Sequence, residues 1–217
     1  YNLVILCNPN NPTGSFVNRE NFKELLNDVN FSSTNFFIDE AFIDFIKNGE
    51  DLSFKHFESD RVIIIRAFTK FFGIPGLRLG YSICYNKKWV STANNLKEPW
   101  TINTFAASCG EFLLNSNKFI EKTYKTLEKE KNRMLNGLTK IKNIRVFKSE
   151  SNFLLIKLME ISGTELYNKL LEKGFLIRRC ENFNFLDDSY VRIAIKDKKS
   201  NKNFIKAINK ITKNRNV

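Results

Sequence analysis

Residues 61–84 read RVIIIRAFTKFFGIPGLRLGYSIC. Two apolar runs of strand length, Arg61–Arg66 and Leu77–Cys84, flank an elbow of Phe, Gly and Pro that carries Thr69, Lys70 and Arg78. Upstream, Asn35–Asp39 and Leu3–Cys7 are runs of the same kind, rich in residues that favour a pleated strand. Between those two lies Asn18–Asp28, where Asn18 can cap a helix and Phe22, Leu25 and Leu26 fall at core-facing helical spacing. That is a βαβ unit, and the alternation predicts α/β architecture with a mainly parallel sheet. Downstream, a helical pattern runs from about Asn103 to Leu138 in more than one helix. Strands at Ile144–Phe147 and Phe153–Leu158, a helix over Gly163–Lys173, strands at Phe175–Arg178 and Tyr190–Ile195, and a terminal helix from about Ser200 then make a small α+β layer. Ser162 and Glu165 have capping-box spacing, and Gly174 suits the left-handed residue after a helix end. The expected division is 1–102 as part of a large sheet domain, 103–138 as a connecting helical segment and 139–217 as a small C-terminal domain.

The chain has 217 residues, enough for one large or two small cores. Its net charge of +12 is unevenly placed: residues 1–114 hold 11 basic and 12 acidic side chains, and 115–217 hold 24 and 11. In that second part Lys alternates with Leu and Ile at helical spacing, which reads as the solvated face of amphipathic helices, with an anionic partner as the alternative. No nucleic-acid motif accompanies the charge, so no nucleic-acid partner is expected. No apolar run approaches the roughly 18 residues of a spanning helix, so no membrane partner is expected either. Cys7, Cys84, Cys109 and Cys180 are far apart and form no metal or disulfide pattern, which fits a reducing cytoplasm. The single histidine, His56, argues against a His-based metal cluster or hydrolytic triad. The chain opens on Tyr1 and enters a strand at once, so it reads as cut from a longer protein.

Three polar constellations follow candidate strands, where open α/β sheets place their ligands. Asn8-Pro9-Asn10-Asn11-Pro12-Thr13-Gly14 offers amide donors and acceptors on a Pro-stiffened backbone, though the same residues also make ordinary turns. In Ile38-Asp39-Glu40-Ala41-Phe42 the carboxylate of Asp39, at the end of an apolar strand, reads as buried and calls for a cationic partner; it serves a ligand, an ion pair or a helix cap. In the elbow, Lys70 lies among aromatic and apolar neighbours, where desolvation would lower its pKa as an imine-forming lysine requires, and Arg78 has the fork for a phosphate; the alternative is a surface Lys and a surface Arg, though surface charges are seldom flanked by so many Phe, Gly and Leu. Together these meet the needs of a pyridoxal phosphate site, which takes a lysine, a carboxylate for the pyridine nitrogen, a donor to the phenolic oxygen and an arginine for the phosphate.

At these residues the chain resembles the fold-type I pyridoxal-phosphate enzymes, in the branch that holds threonine-phosphate decarboxylase and histidinol-phosphate aminotransferase. The resemblance runs from Asn8 to about Ile195 and implies the C-terminal part of the PLP-dependent transferase fold, a portion of its large domain plus the small α+β domain. By resemblance Lys70 is the catalytic lysine that binds the cofactor and moves the proton at Cα. Asp39 pairs with the pyridinium nitrogen, Asn11 serves the phenolic oxygen, Ala41 packs on a ring face, and Thr69 and Arg78 serve the phosphate. Arg178 and Arg192 resemble the family's clamp on substrate anions; without that resemblance Arg192 reads equally as a strand-edge charge, and Arg179, by alternation, as solvent-facing. The family implies a homodimer.

Phe42 stands where such aminotransferases usually carry Tyr, and Ala67 where the family usually has Ser or Thr. The segments at 39–45, 99–103 and 177–183 look closer to threonine-phosphate decarboxylase. The expected substrate is therefore a small phosphorylated amino acid, L-threonine O-3-phosphate, with histidinol phosphate and amino transfer as the alternative. A further alternative is a fragment that turns nothing over, since the family's N-terminal loop and stacking aromatic residue have no counterpart here.

Overall fold

The computed structural model describes residues 1–213. The chain divides into two compact units: Tyr1–Asn11 with Phe16–Ile120, and Pro12–Ser15 with Glu121 onward.

The first unit is built on a four-stranded sheet in the order β1 (Leu3–Cys7), β2 (Asn35–Asp39), β3 (Val62–Ala67), β4 (Gly80–Cys84). The first three strands are parallel and β4 is antiparallel to β3, with Ala67 opposite Gly80. Helix α1 (Arg19–Asn27) crosses from β1 to β2, and the Asn18 side chain accepts from the Asn21 amide at 2.8 Å, as the sequence leads one to expect. Its apolar face buries Phe22 and Leu26 against Phe36 and Ile38 of β2, Val62 and Ile64 of β3, and Phe54. The Phe22 and Phe54 rings stack at 4.1 Å, so one aromatic pair pins the helix to the turn that follows β2. Short helices α2 (Gly49–Leu52) and α3 (Phe68–Phe71) are followed by α4 (Lys87–Leu96) and α5 (Thr104–Leu114). The pairing of β4 starts three residues later than Leu77, because Pro75 opens a tight turn over Pro75–Leu77 and Arg78 takes a left-handed φ of 55°.

Helix α6 (Asn117–Leu138) leads into the second unit, an antiparallel sheet in the order β5 (Ile144–Val146), β6 (Phe153–Leu158), β8 (Tyr190–Ala194), β7 (Arg178–Arg179). Helices α7 (Gly163–Leu171) and α8 (Lys198–Lys213) complete it. Met134 and Leu138 of α6, Leu166 and Leu170 of α7 and Phe204, Ile208 and Ile211 of α8 meet Leu154, Ile156, Val191 and Ile193 of the sheet in one core. The strand expected over Phe175–Arg178 shrinks to Arg178–Arg179. Gly174, with φ 77°, turns the chain out of α7, and the Phe175 amide is used to close that helix on the Leu170 carbonyl at 2.9 Å. Among the described residues no helix is long and apolar enough to cross a membrane.

Candidate active site

Parallel pairing places the ends of β1 and β2 side by side, Cys7 opposite Asp39, and the antiparallel start of β4 lies at the same end of the sheet as the finish of β3. Four segments therefore gather at one end of the first unit: Asn8–Asn11, Asp39–Ala41, Phe68–Lys70 and Arg78. This is the end at which open parallel sheets expose backbone and side-chain groups to ligands.

Asn8 is fully buried and staples the first segment. Its amide group donates to the Val17 carbonyl at 3.0 Å, its side-chain oxygen accepts from the Val17 N–H at 2.8 Å, and its backbone N–H donates to the Asp39 carbonyl at 2.8 Å. Asn11 follows, half-buried. Burial pushes the Cys7 thiol up, although an N–H of Asn11 works in the other direction.

Asp39 is half-buried, and its Oδ1 accepts from the Ala41 N–H at 2.9 Å. The desolvated carboxylate that calls for a cation is its neighbour. Glu40 is fully buried and accepts from Arg66 Nε at 2.8 Å, while Arg66 is itself 2% exposed. Strand alternation accounts for it: 36 and 38 on β2, with 40 just past its end, and 62, 64 and 66 on β3, are the buried positions, so Glu40 and Arg66 continue the core rows. Both residues sit in the quoted motifs, and that period-two count is the signal that finds them.

Lys70 is exposed, so the aromatic residues around it in sequence do not enclose it in this chain. In the single turn of α3, Phe68 and Phe71 take the inward positions three apart, which leaves the third residue facing out. Thr69 and Ala41 are half-buried. Arg78 is exposed and donates from Nη1 to the Pro75 carbonyl at 3.1 Å. The donor set fits pyridoxal phosphate: an accessible primary amine, a carboxylate held by one backbone amide and a guanidinium, all at one sheet end.

In the second unit Arg178 and Arg192 are direct partners across β7 and β8. Arg178 is exposed and donates to Asn182 Oδ1 at 2.8 Å, with its guanidinium 5.6 Å from the Phe183 ring. Arg192 is half-buried, 5.0 Å from the Phe153 ring; burial and then the Arg178 charge push its guanidinium down, and Cys180 opposes them. Arg179 keeps 37% of its side chain open to solvent. It pairs with Glu181 at 2.7 Å and donates to Thr164 Oγ1 at 2.6 Å, because the two-residue strand turns it back over the start of α7.

The family model for aminotransferase class I and II matches residues 1–208. The chain belongs to that family. A protein of Caldanaerobacter subterraneus subsp. tengcongensis named "Putative threonine-phosphate decarboxylase" is 39% identical over 94% of this chain and 56% of its own length. The crystal structure of the histidinol-phosphate aminotransferase from Clostridium acetobutylicum superposes with a TM-score of 0.93 at 41% identity, over 98% of this chain and 64% of that one. That of L-threonine-O-3-phosphate decarboxylase from Porphyromonas gingivalis gives 0.86 at 28% identity, over 97% and 64%. The expected fold, part of the fold-type I transferase architecture, is thus found, and this chain of the class I and II family spans a little over half the length of the curated relatives it matches.

Proposed function

We propose that this chain carries cofactor- and substrate-binding residues of a pyridoxal 5'-phosphate enzyme that decarboxylates L-threonine O-3-phosphate. The observation that carries the reading of a doubly anionic substrate is the direct cross-strand pairing of Arg178 with Arg192. Two guanidinium forks on adjacent strands suit a carboxylate and a phosphate ester.

Bound at the sheet end, the cofactor supplies a protonated ring into which an electron pair released at the substrate's Cα can pass. Asp39 holds the proton on the pyridine nitrogen, and its bond from the Ala41 amide fixes which oxygen is turned away. Asn11 would serve the phenolic oxygen, Ala41 a ring face, and Thr69 and Arg78 the phosphate. Lys70, exposed at the sheet end, would supply the primary amine that holds the cofactor and would carry the proton at Cα. Arg178 and Arg192 would bind the substrate's anionic groups. Phe42, at the position where aminotransferases of this branch carry Tyr, favours decarboxylation. Dimerisation and a cytoplasmic setting belong to the same proposal.

A second reading, amino transfer from histidinol phosphate, is favoured by the 41% identity with the Clostridium acetobutylicum enzyme. The test mixes the chain, extended to the full length of its relatives, with pyridoxal phosphate and each substrate, following carbon dioxide release beside amino transfer to 2-oxoglutarate. Carbon dioxide without transfer is the expected result; transfer alone moves the protein to the second reading, and neither leaves it a catalytically silent member.

A further inference from the structure

The Glu40 and Arg66 side chains occupy positions where apolar residues would simply extend the core. Phe36 and Ile38 precede Glu40 on its row, and Val62 and Ile64 precede Arg66. Burying two ions is costly, and a buried pair is commonly replaceable by apolar residues with no loss of stability. What ions add is direction. Glu40 takes three donors: Arg66 Nε at 2.8 Å, Ser53 Oγ at 2.7 Å and the Phe54 amide at 2.8 Å. Arg66 Nη1 donates to Asp44 Oδ1 at 3.3 Å and to Glu50 Oε2 at 3.1 Å, and Glu50 is bridged in turn to Lys55. The Glu40 amide also donates to the Ile65 carbonyl at 2.9 Å. One guanidinium thus ties the end of β2, the end of β3 and the segment 44–55 into a single network.

Asp39 directly precedes Glu40, and Lys70 follows Arg66 by four residues. We infer that the buried Glu40–Arg66 pair is a positioning device that fixes Asp39 relative to the Phe68–Lys70 turn. Both side chains are buried in the protein and act through the backbone of their neighbours. This inference rests on the pyridoxal-phosphate reading above.

The experiment compares the full-length wild type with Glu40→Gln/Arg66→Met, which removes both charges, and with Arg66→Lys, which keeps the charge and loses the fork. Three quantities are measured: the melting temperature, amide hydrogen exchange, and pyridoxal phosphate affinity with borohydride trapping at Lys70. The double variant is expected to melt near the wild type and to bind the cofactor about tenfold or more weakly. Exchange should quicken at residues 39–41 and 67–70 and hold at 36–38 and 62–64. Arg66→Lys should lie between the two, and it carries the same readouts if the double variant does not fold. Unchanged affinity and exchange overturn the inference, and so does uniformly faster exchange with a lower melting temperature. If the wild type itself traps no cofactor at Lys70, the functional reading fails and the exchange pattern alone decides the role of the pair.

Discussion

Arg178 and Arg192 stand directly opposite each other across two antiparallel strands, Cα partner to Cα partner. Like charges in that register repel, at roughly 0.2–1 kcal/mol, unless an anion lies between them. Arg178→Gln is therefore expected to leave the free protein as stable as the wild type or slightly more so. The same change should cost at least about tenfold in affinity for a phosphate ester, since each charge-assisted bond is worth roughly 1.5–3 kcal/mol. Thermal melts with and without L-threonine O-3-phosphate read both effects. Equal ligand-induced shifts in wild type and variant would remove Arg178 from the binding site.

Gly14 sits at φ 71°, and a Cβ there would overlap the Ser149 hydroxyl oxygen and crowd the Ser149 backbone. Its carbonyl accepts from the Glu150 N–H at 2.8 Å, and Lys131 Nζ donates to the Ser149 carbonyl at 2.9 Å, so Ser149 has little room to retreat. Gly14→Ala is expected to destabilise the chain by about 2 kcal/mol or more through the left-handed backbone and the displaced turn together. Denaturant melts measure it. A loss below about 0.5 kcal/mol would mean that the turn yields freely.

Much of this molecule is written in local pattern. Leu3–Cys7, Asn35–Asp39 and Phe153–Leu158 are strands as their apolar runs demand, and Asn18 and Ser162 cap the helices they precede. What pattern cannot carry is the competition for backbone groups. Residues 175–177 have the composition of a strand, but the Phe175 amide is spent on α7, and no local count of apolar residues reveals that. Helix α4 also lay outside the expected elements, although Asn86 accepts from the Trp89 amide at 3.2 Å in the geometry of a cap. At the candidate site the motif around Asp39 announced a buried carboxylate, and only the phase of the strand shows that Glu40, not Asp39, is buried deepest. The exposure of Lys70 has a similar cause: sequence neighbours of a residue in a helical turn point elsewhere, so a flanking Phe is no measure of enclosure.

Glu130 of α6 is 3% exposed, and Asn201 of α8 donates to its Oε2 at 3.0 Å. Burial alone would raise its carboxyl, but the hydrogen bonds from Asn201 and Arg133, with the charges of Arg133 and Lys129, outweigh that and hold it below its ordinary value of 4.5. A depressed folded-state pKa means that the ionised form stabilises the fold above about pH 4.5, and that this contribution drains away as the pH falls through the folded value. Glu130→Gln should therefore lower the melting temperature at pH 7, and the gap to wild type should close below about pH 4.5. Melts across that range check it; a gap independent of pH would show that packing, not charge, links α6 to α8.

Phe42 is half-buried, with its ring 6.2 Å from Phe45 and the two planes 30° apart. A hydroxyl added there would not be sealed in the core, so Phe42→Tyr is expected to fold with a stability change within about 0.5 kcal/mol. If the proposed chemistry holds, the new phenol adds a donor near the cofactor's phenolic oxygen, changes the electron demand of the ring and shifts the ratio of products. The full-length Phe42→Tyr variant should show an altered cofactor spectrum and a larger share of amino transfer relative to carbon dioxide release. An unchanged spectrum with an unchanged ratio would strip position 42 of its part in the choice of reaction and leave that choice to the substrate's orientation at Arg178 and Arg192.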